Sequence, residues 1–155
     1  MIKSILTPTR NRPANCERFI KSVYYSSTMR ENVEMIFYVD DDDPAIDAYK
    51  SLHWHVQKEY HEFKNIEFVF GNPMSVSKSW NVIAKRCMGD VLIMGNDDLV
   101  YQTTSWDELL DIELNNYIQD KVYVAWMEDG INGERHCAFP IVSREWYECL
   151  GRFTP

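Results

Sequence analysis

Three short stretches of this chain, 34–39 (EMIFYV), 66–70 (IEFVF) and 91–94 (VLIM), are apolar almost without a break, and 2–7 (IKSILT) reads as a fourth buried strand. A strand that is apolar on both faces must be covered on both. A parallel sheet with helices packed against each side meets that requirement. The intervening segments have the matching character. Cys16, Phe19, Ile20 and Val23 recur at helical spacing over 14–26, and Val76, Trp80, Ile83, Ala84 and Cys87 do so over 75–88. Punctuation residues predict the boundaries. The first strand should end at Pro8, with Asn11-Arg12-Pro13 as a turn. Pro44 suits the first position of a helix running to about Tyr60, and Gly89 suits a C-terminal stop. Ser105 with Glu108 reads as a capping box for a helix over 106–119. Residues 122–126 (VYVAW) and 137–142 predict two more strands around a polar loop at 128–135, and Ser143 caps a last short helix ending at Gly151. The whole predicts a single α/β domain over 1–155, a mostly parallel sheet flanked by helices.

Charge narrows the partners. The formal net charge is −8, so bulk attraction to nucleic-acid phosphates is not expected. Its carboxylates are clustered, at Asp40 to Asp43 and at Asp97 and Asp98, and clustered carboxylates hold divalent cations, which in turn hold diphosphates. The four cysteines, at 16, 87, 137 and 149, form no C-x-x-C pair and no zinc-like spacing with histidine, so free thiols in a reducing cytoplasm are expected. No signal peptide is read at the start, and no apolar run approaches the ~20 residues of a membrane span.

In sheets of this kind ligands bind at the carboxyl ends of the strands. Those ends carry Thr9-Arg10, Asp40-Asp41 and Asn96-Asp97-Asp98, so three separated polar clusters should meet on one rim. The strongest of them is GDVLIMGNDDLVY, in which a buried strand delivers an Asn and two adjacent carboxylates into a loop. A divalent cation bridging to a diphosphate is a natural partner for such charges, and oxygen ligands without nearby sulfur or imidazole suit Mg2+ or Mn2+. The competing reading is a polar turn with Asp98 capping something local. In FYVDDDDP, Asp40 can accept from a base N–H or a ribose hydroxyl, whereas Asp42 and Asp43 fit helix-capping duty better. In SVSKSWN, Lys78 can reach a phosphate or ribose and Asn81 can support the metal loop, against a solvated Lys and a packing Asn.

ILTPTRNRP, FYVDDDDP, SVSKSWN followed by GDVLIMGNDD, and FPIVSREWYECLGRFTP occur in an order that resembles family 2 glycosyltransferases over nearly the whole chain. The resemblance implies a GT-A fold (Rossmann-like, as in nucleotide-diphospho-sugar transferases) and transfer of a sugar from a nucleotide sugar, a UDP-sugar being favoured, to an acceptor hydroxyl. It implies that Pro8, Thr9 and Arg10 line the nucleotide pocket and that Asp40 reads the base. Asn96 to Asp98 stand at the family's D-x-D metal motif. With Asn96 in its first acidic place, Asp98 is the surest ligand for Mn2+ or Mg2+ and Asp97 the next. The family's acidic general base would fall after Pro155, which implies a chain lacking its C-terminal part. Within the chain Glu128, Asp129 and His136 are the polar residues of the acceptor side. Two other readings remain open: a non-catalytic nucleotide-sugar or glycan-binding module, and a nucleotidyltransferase. The second wants a glycine-rich loop after the first strand, and TPTRNRP has no glycine.

Overall fold

The computed structural model describes residues 1–117, 121–131 and 133–155. Its elements alternate as β1 (Lys3–Thr9), α1 (Pro13–Ser26), β2 (Val33–Asp40), α2 (Ile46–Glu59), β3 (Asn65–Gly71), α3 (Val76–Ala84), β4 (Val91–Met94), α4 (Trp106–Tyr117), β5 (Val124–Trp126), β6 (Pro140–Ser143) and α5 (Arg144–Leu150). The strands form one sheet in the order β3-β2-β1-β4-β6-β5. The first four are mutually parallel, whereas β6 pairs antiparallel with both β4 and β5. This is the expected α/β architecture, and it is GT-A-like.

Side-chain alternation divides the core between two faces. Val33, Met35, Phe37 and Val39 of β2 face α1, α2 and α4, while Ile36 and Tyr38 face α3 and α5. β1 does the same with Ile5 and Leu6, both fully buried. Burying one such side chain contributes about 1.5–3 kcal/mol, so the parallel strands are the stable base on which the loops at their ends rest. The amino-terminal ends of the strands are also pinned. Lys3, wholly buried, reaches Asp111 Oδ2 of α4 at 2.7 Å. Buried Glu34 accepts from Ser4 Oγ and from the Met88 and Gly89 amides.

Several boundaries differ from expectation. β1 runs through Pro8 to Thr9. Its pairing with β4 stops at Leu6, so a residue without an N–H is tolerated beyond that point. Pro13, not Pro44, occupies the first turn of a helix. α2 starts at Ile46 because the Asp43 carboxylate, 3% exposed, holds the preceding turn through the Ala45 amide at 2.7 Å. α3 ends at Ala84, and Gly89 serves a different purpose, because a Cβ there would collide with Ser4 Oγ. Ser105 sits at φ 60° and its hydroxyl accepts from Thr28 Oγ1 at 2.7 Å, while Glu108 N bonds the Ser105 carbonyl. The expected continuation of α4 to 119 falls outside the described residues. The last two strands are shorter than expected, or shifted, at Val124–Trp126 and Pro140–Ser143. Ser143 caps α5 through the Trp146 amide at 3.0 Å, and Gly151 closes it in the left-handed region.

Candidate functional site

Parallel strands deliver their carboxyl ends to one rim, and three of the predicted clusters meet there through β1, β2 and β4. Thr9 closes β1, and Asn11 at φ 54° then turns the chain into α1. The Asn11 amide donates to Asp43 Oδ2 at 2.8 Å, which ties the β1 turn to the β2 turn. Arg10 Nη1 spans Asp40 Oδ2 at 2.7 Å and Asp42 Oδ1 at 2.6 Å. Those bonds, to Asp42 first and Asp40 next, raise the Arg10 pKa further, so it is a permanent cation. Asp40 is half-buried and Asp42 exposed, so the ion pair stands at the surface beside the end of β2.

Asp97 is fully buried. Its Oδ2 accepts from Thr9 Oγ1 at 2.6 Å and lies 3.2 Å from Arg12 Nε, while Oδ1 is buried with no hydrogen-bond partner among the described residues. Burial pushes its carboxyl pKa up, and the Thr9 bond and the Arg12 charge pull it back. Thr9 Oγ1 also meets Tyr49 OH at 2.8 Å and the Cys16 thiol at 3.3 Å. Burial pushes both the Tyr49 hydroxyl and the Cys16 thiol up to about 12, so both stay protonated at neutral pH. Asp98, by contrast, is exposed, and its carbonyl faces Arg18 Nη2 at 3.5 Å. Asn96 closes the turn through its carbonyl, which accepts from Leu99 N at 3.2 Å. Gly95 lets β4 end against β1, since a Cβ would collide with Thr7 Oγ1.

The remaining predicted residues are placed as follows. Pro8 is half-buried in β1, and Lys78 is exposed in the first turn of α3. Asn81 bonds to the C-terminal stretch instead of the Asn96–Asp98 turn. Its amide accepts from the Phe153 and Thr154 amides at 2.7 and 3.1 Å and donates to the Thr154 carbonyl at 3.0 Å. It thereby pins that stretch to α3. Glu128 and Asp129 accept from the Gly130 and Ile131 amides at 2.8 and 2.9 Å, each shaping its own turn. His136 is exposed. Two adjoining cavities lie on this side. One, of about 380 Å³, is lined by Met94, Leu99, Tyr101, Glu128, Asp129 and others; the second, of about 990 Å³, lies between α4 and β5 and shares Trp106 and Glu128 with it. The acidic pair therefore borders a hollow next to the β4 turn.

Sequence reading missed Tyr49, Arg12 and Cys16. Cys16 lies in the apolar stripe of its helix, and Tyr49 is buried in the same core. Arg12 lies within TPTRNRP, which signalled only a turn at that position.

Whether a cation fits can be judged from these groups. Among the described residues, no three His, Cys, Asp or Glu side chains gather as a metal-holding group. A self-contained protein cage is therefore not what this rim offers. Mg2+-type sites need only one or two carboxylates when substrate phosphates and waters fill the remaining positions. An exposed Asp98 beside an Asp97 with an unpartnered oxygen fits that second kind.

No family model matches the sequence, and no curated protein does. The fold does have solved counterparts. It superposes on a mannosyltransferase, PcManGT from Pyrobaculum calidifontis in complex with GDP-Man and Mn2+, with a TM-score of 0.76, at 15% identity, covering 97% of this chain and 47% of that one. It is similar to TarS residues 1–349 of S. aureus in complex with UDP, with a TM-score of 0.70 at 12% identity, covering 100% of this chain and 50% of that one. A cytidylyltransferase from Leptospira borgpetersenii superposes less well, with a TM-score of 0.58 at 14% identity, over 97% of this chain and 63% of that one. The chain thus has a GT-A-like fold and spans about half the length of those first two chains.

Proposed function

We propose that this chain binds a nucleoside-diphosphate sugar at the carboxyl ends of β1, β2 and β4 and forms the donor-binding part of a glycosyltransferase. The observation that carries this reading is the meeting of Thr9-Arg10, Asp40 and Asn96-Asp97-Asp98 on one rim, with Asp98 exposed and Asp97 held beneath it. In the proposal Asp98, helped by Asp97 and Asn96, holds Mn2+ or Mg2+ against the donor diphosphate. Such an ion neutralises charge developing on the leaving diphosphate. Asp40 takes a hydrogen bond from the base or ribose, Pro8, Thr9 and Arg10 line that pocket, and Lys78 reaches toward ribose or phosphate. The solved complexes with GDP-Man and Mn2+ and with UDP support this assignment by fold alone.

Transfer to an acceptor hydroxyl is the second part of the proposal. Glu128 and Asp129 are the acids this chain brings to the cavity beside the β4 turn, and they are the candidates for the general base. The less similar cytidylyltransferase does not displace this reading, because a glycine-rich phosphate loop is absent from Thr7 to Pro13. The test is thermal unfolding with UDP or GDP, with and without manganese. Nucleotide with manganese should raise the melting temperature, and a chelator should remove the gain. Equal stabilisation with and without the metal would refute metal bridging, and no stabilisation by any nucleotide would refute the donor site.

A further inference from the structure

We infer that Tyr49 is a positioning residue of the candidate site, acting through Thr9 to fix the carboxylate of Asp97. This rests on the donor-site reading and deepens it. The bonds form a single chain. The Arg12 amide donates to Tyr49 OH at 2.9 Å, which leaves the phenol proton for Thr9 Oγ1 at 2.8 Å. Thr9 in turn spends its only proton on Asp97 Oδ2 at 2.6 Å. Arg12 returns to the same oxygen through Nε at 3.2 Å, so the path closes on itself. The Cys16 thiol also donates to Thr9 Oγ1, at 3.3 Å, so Thr9 takes two protons, from the phenol and the thiol, and passes its own to Asp97.

Two further observations separate this from ordinary core packing. Tyr49 is wholly buried, so its hydroxyl has no water to satisfy it and needs protein partners. The hydrogen-bond chain secures one Asp97 oxygen. Among the described residues Oδ1 is buried without a partner, a costly arrangement in a folded protein unless a donor or a cation meets it. The carboxylate is thus clamped on one side, in the turn that also carries Asp98. Without the phenol proton, Thr9 can rotate to donate elsewhere, and Asp97 loses the bond that fixes its plane. The effect should appear in ligand binding, over and above any change in stability.

The test is calorimetric titration of UDP, with and without manganese, into the unsubstituted chain, Tyr49→Phe, Leu52→Ala and Thr9→Val, with affinities expressed per folded molecule. Leu52 shares helix α2 and the same core and has no part in the hydrogen-bond chain. Tyr49→Phe should weaken manganese-dependent UDP binding roughly fivefold to tenfold, as expected for one buried hydrogen bond. Leu52→Ala should lower the melting temperature at least as much and leave the affinity within about twofold. Tyr49→Phe combined with Thr9→Val should bind no worse than Thr9→Val alone, because both act on one path. Undiminished binding by Tyr49→Phe, or an equal loss in Leu52→Ala, would overturn the positioning role while leaving the donor site standing. A chain that binds no UDP even when unsubstituted would overturn both.

Discussion

The interior and one edge of this sheet are built to different standards. In β1 and β2, which lie inside the sheet, every residue is buried save one half-buried position in each strand. In β5 at one edge, Val124 and Trp126 are 46% and 45% exposed and only Ala125 between them is partly covered. β5 is three residues long and pairs with β6 alone. The parallel interior can hold charged loops in fixed positions because its strands cannot move without opening the core. The antiparallel edge supplies a wall of the cavity between α4 and β5, where apolar surface is left open. The Thr9-Arg10, Asp40 and Asn96-Asp97-Asp98 clusters sit at the ends of the well-buried strands, and the acidic loop of Glu128 and Asp129 follows the exposed one.

The largest effect tests this contrast directly. Phe37 is fully buried and stacks on Phe68 of the neighbouring strand, with ring centroids 4.6 Å apart. Phe37→Ala should cost about 3–5 kcal/mol in urea unfolding. Trp126→Ala removes a larger ring and should cost about 1 kcal/mol or less, since nearly half of it is already in water. Equal losses would break the comparison.

Next in size is the metal-linked term. At a ligand concentration one hundred times its dissociation constant, binding adds roughly 2.7 kcal/mol to stability. Asp98→Asn should remove the manganese-dependent part of that gain and leave the unliganded melting point nearly unchanged, because Asp98 is exposed. If Asp98→Asn keeps the full manganese effect, the rim is not the metal site. Asp40→Ala should weaken UDP binding by about 1.5–3 kcal/mol, the range for a hydrogen bond to a charged group. The alternative is that Asp40 serves mainly to orient Arg10 through their 2.7 Å bond. Arg10→Met in place of Asp40→Ala separates the two: an equal loss in both variants favours the pair acting as a unit.

The legible part of this molecule was the part governed by period and run length. Apolar runs placed β1 to β4, 3.6-residue stripes placed α1 and α3, Pro44 announced α2, and the strand-end rule placed the rim. Boundaries set by tertiary contact were not legible. Pro8 continues its strand because β4 ends early, and Gly89 is needed by Ser4 across the sheet. Neither reason is local. The site divides the same way. Acidic clusters pointed to Asp40 and Asp98 as candidates, whereas nothing in the sequence pointed to Tyr49, since only the fold brings it within 2.8 Å of Thr9. Adjacent carboxylates in sequence also proved to be unlike in structure, with Asp97 buried and Asp98 in solvent.

The smallest effect sharpens the contrast through two serines with the same local role. Ser75 caps α3, accepting from the Lys78 amide at 3.4 Å in an exposed turn. Ser143 caps α5, accepting from the Trp146 amide at 3.0 Å, and it also accepts from the Tyr123 amide at 3.3 Å, just before β5. Ser75→Ala should cost about 0.5 kcal/mol, the low end for a lost cap. Ser143→Ala should cost about 1–2 kcal/mol, because Ser143 is 1% exposed and two amides lose their acceptor at once. The second loss should also be local. Amide hydrogen exchange at Tyr123 and along β5 should quicken in Ser143→Ala, while exchange in β1 and β2 follows only the change in global stability. Exchange that quickens uniformly across all six strands would mean that the sheet opens as one unit, and the difference between its interior and its β5 edge would then have no dynamic content.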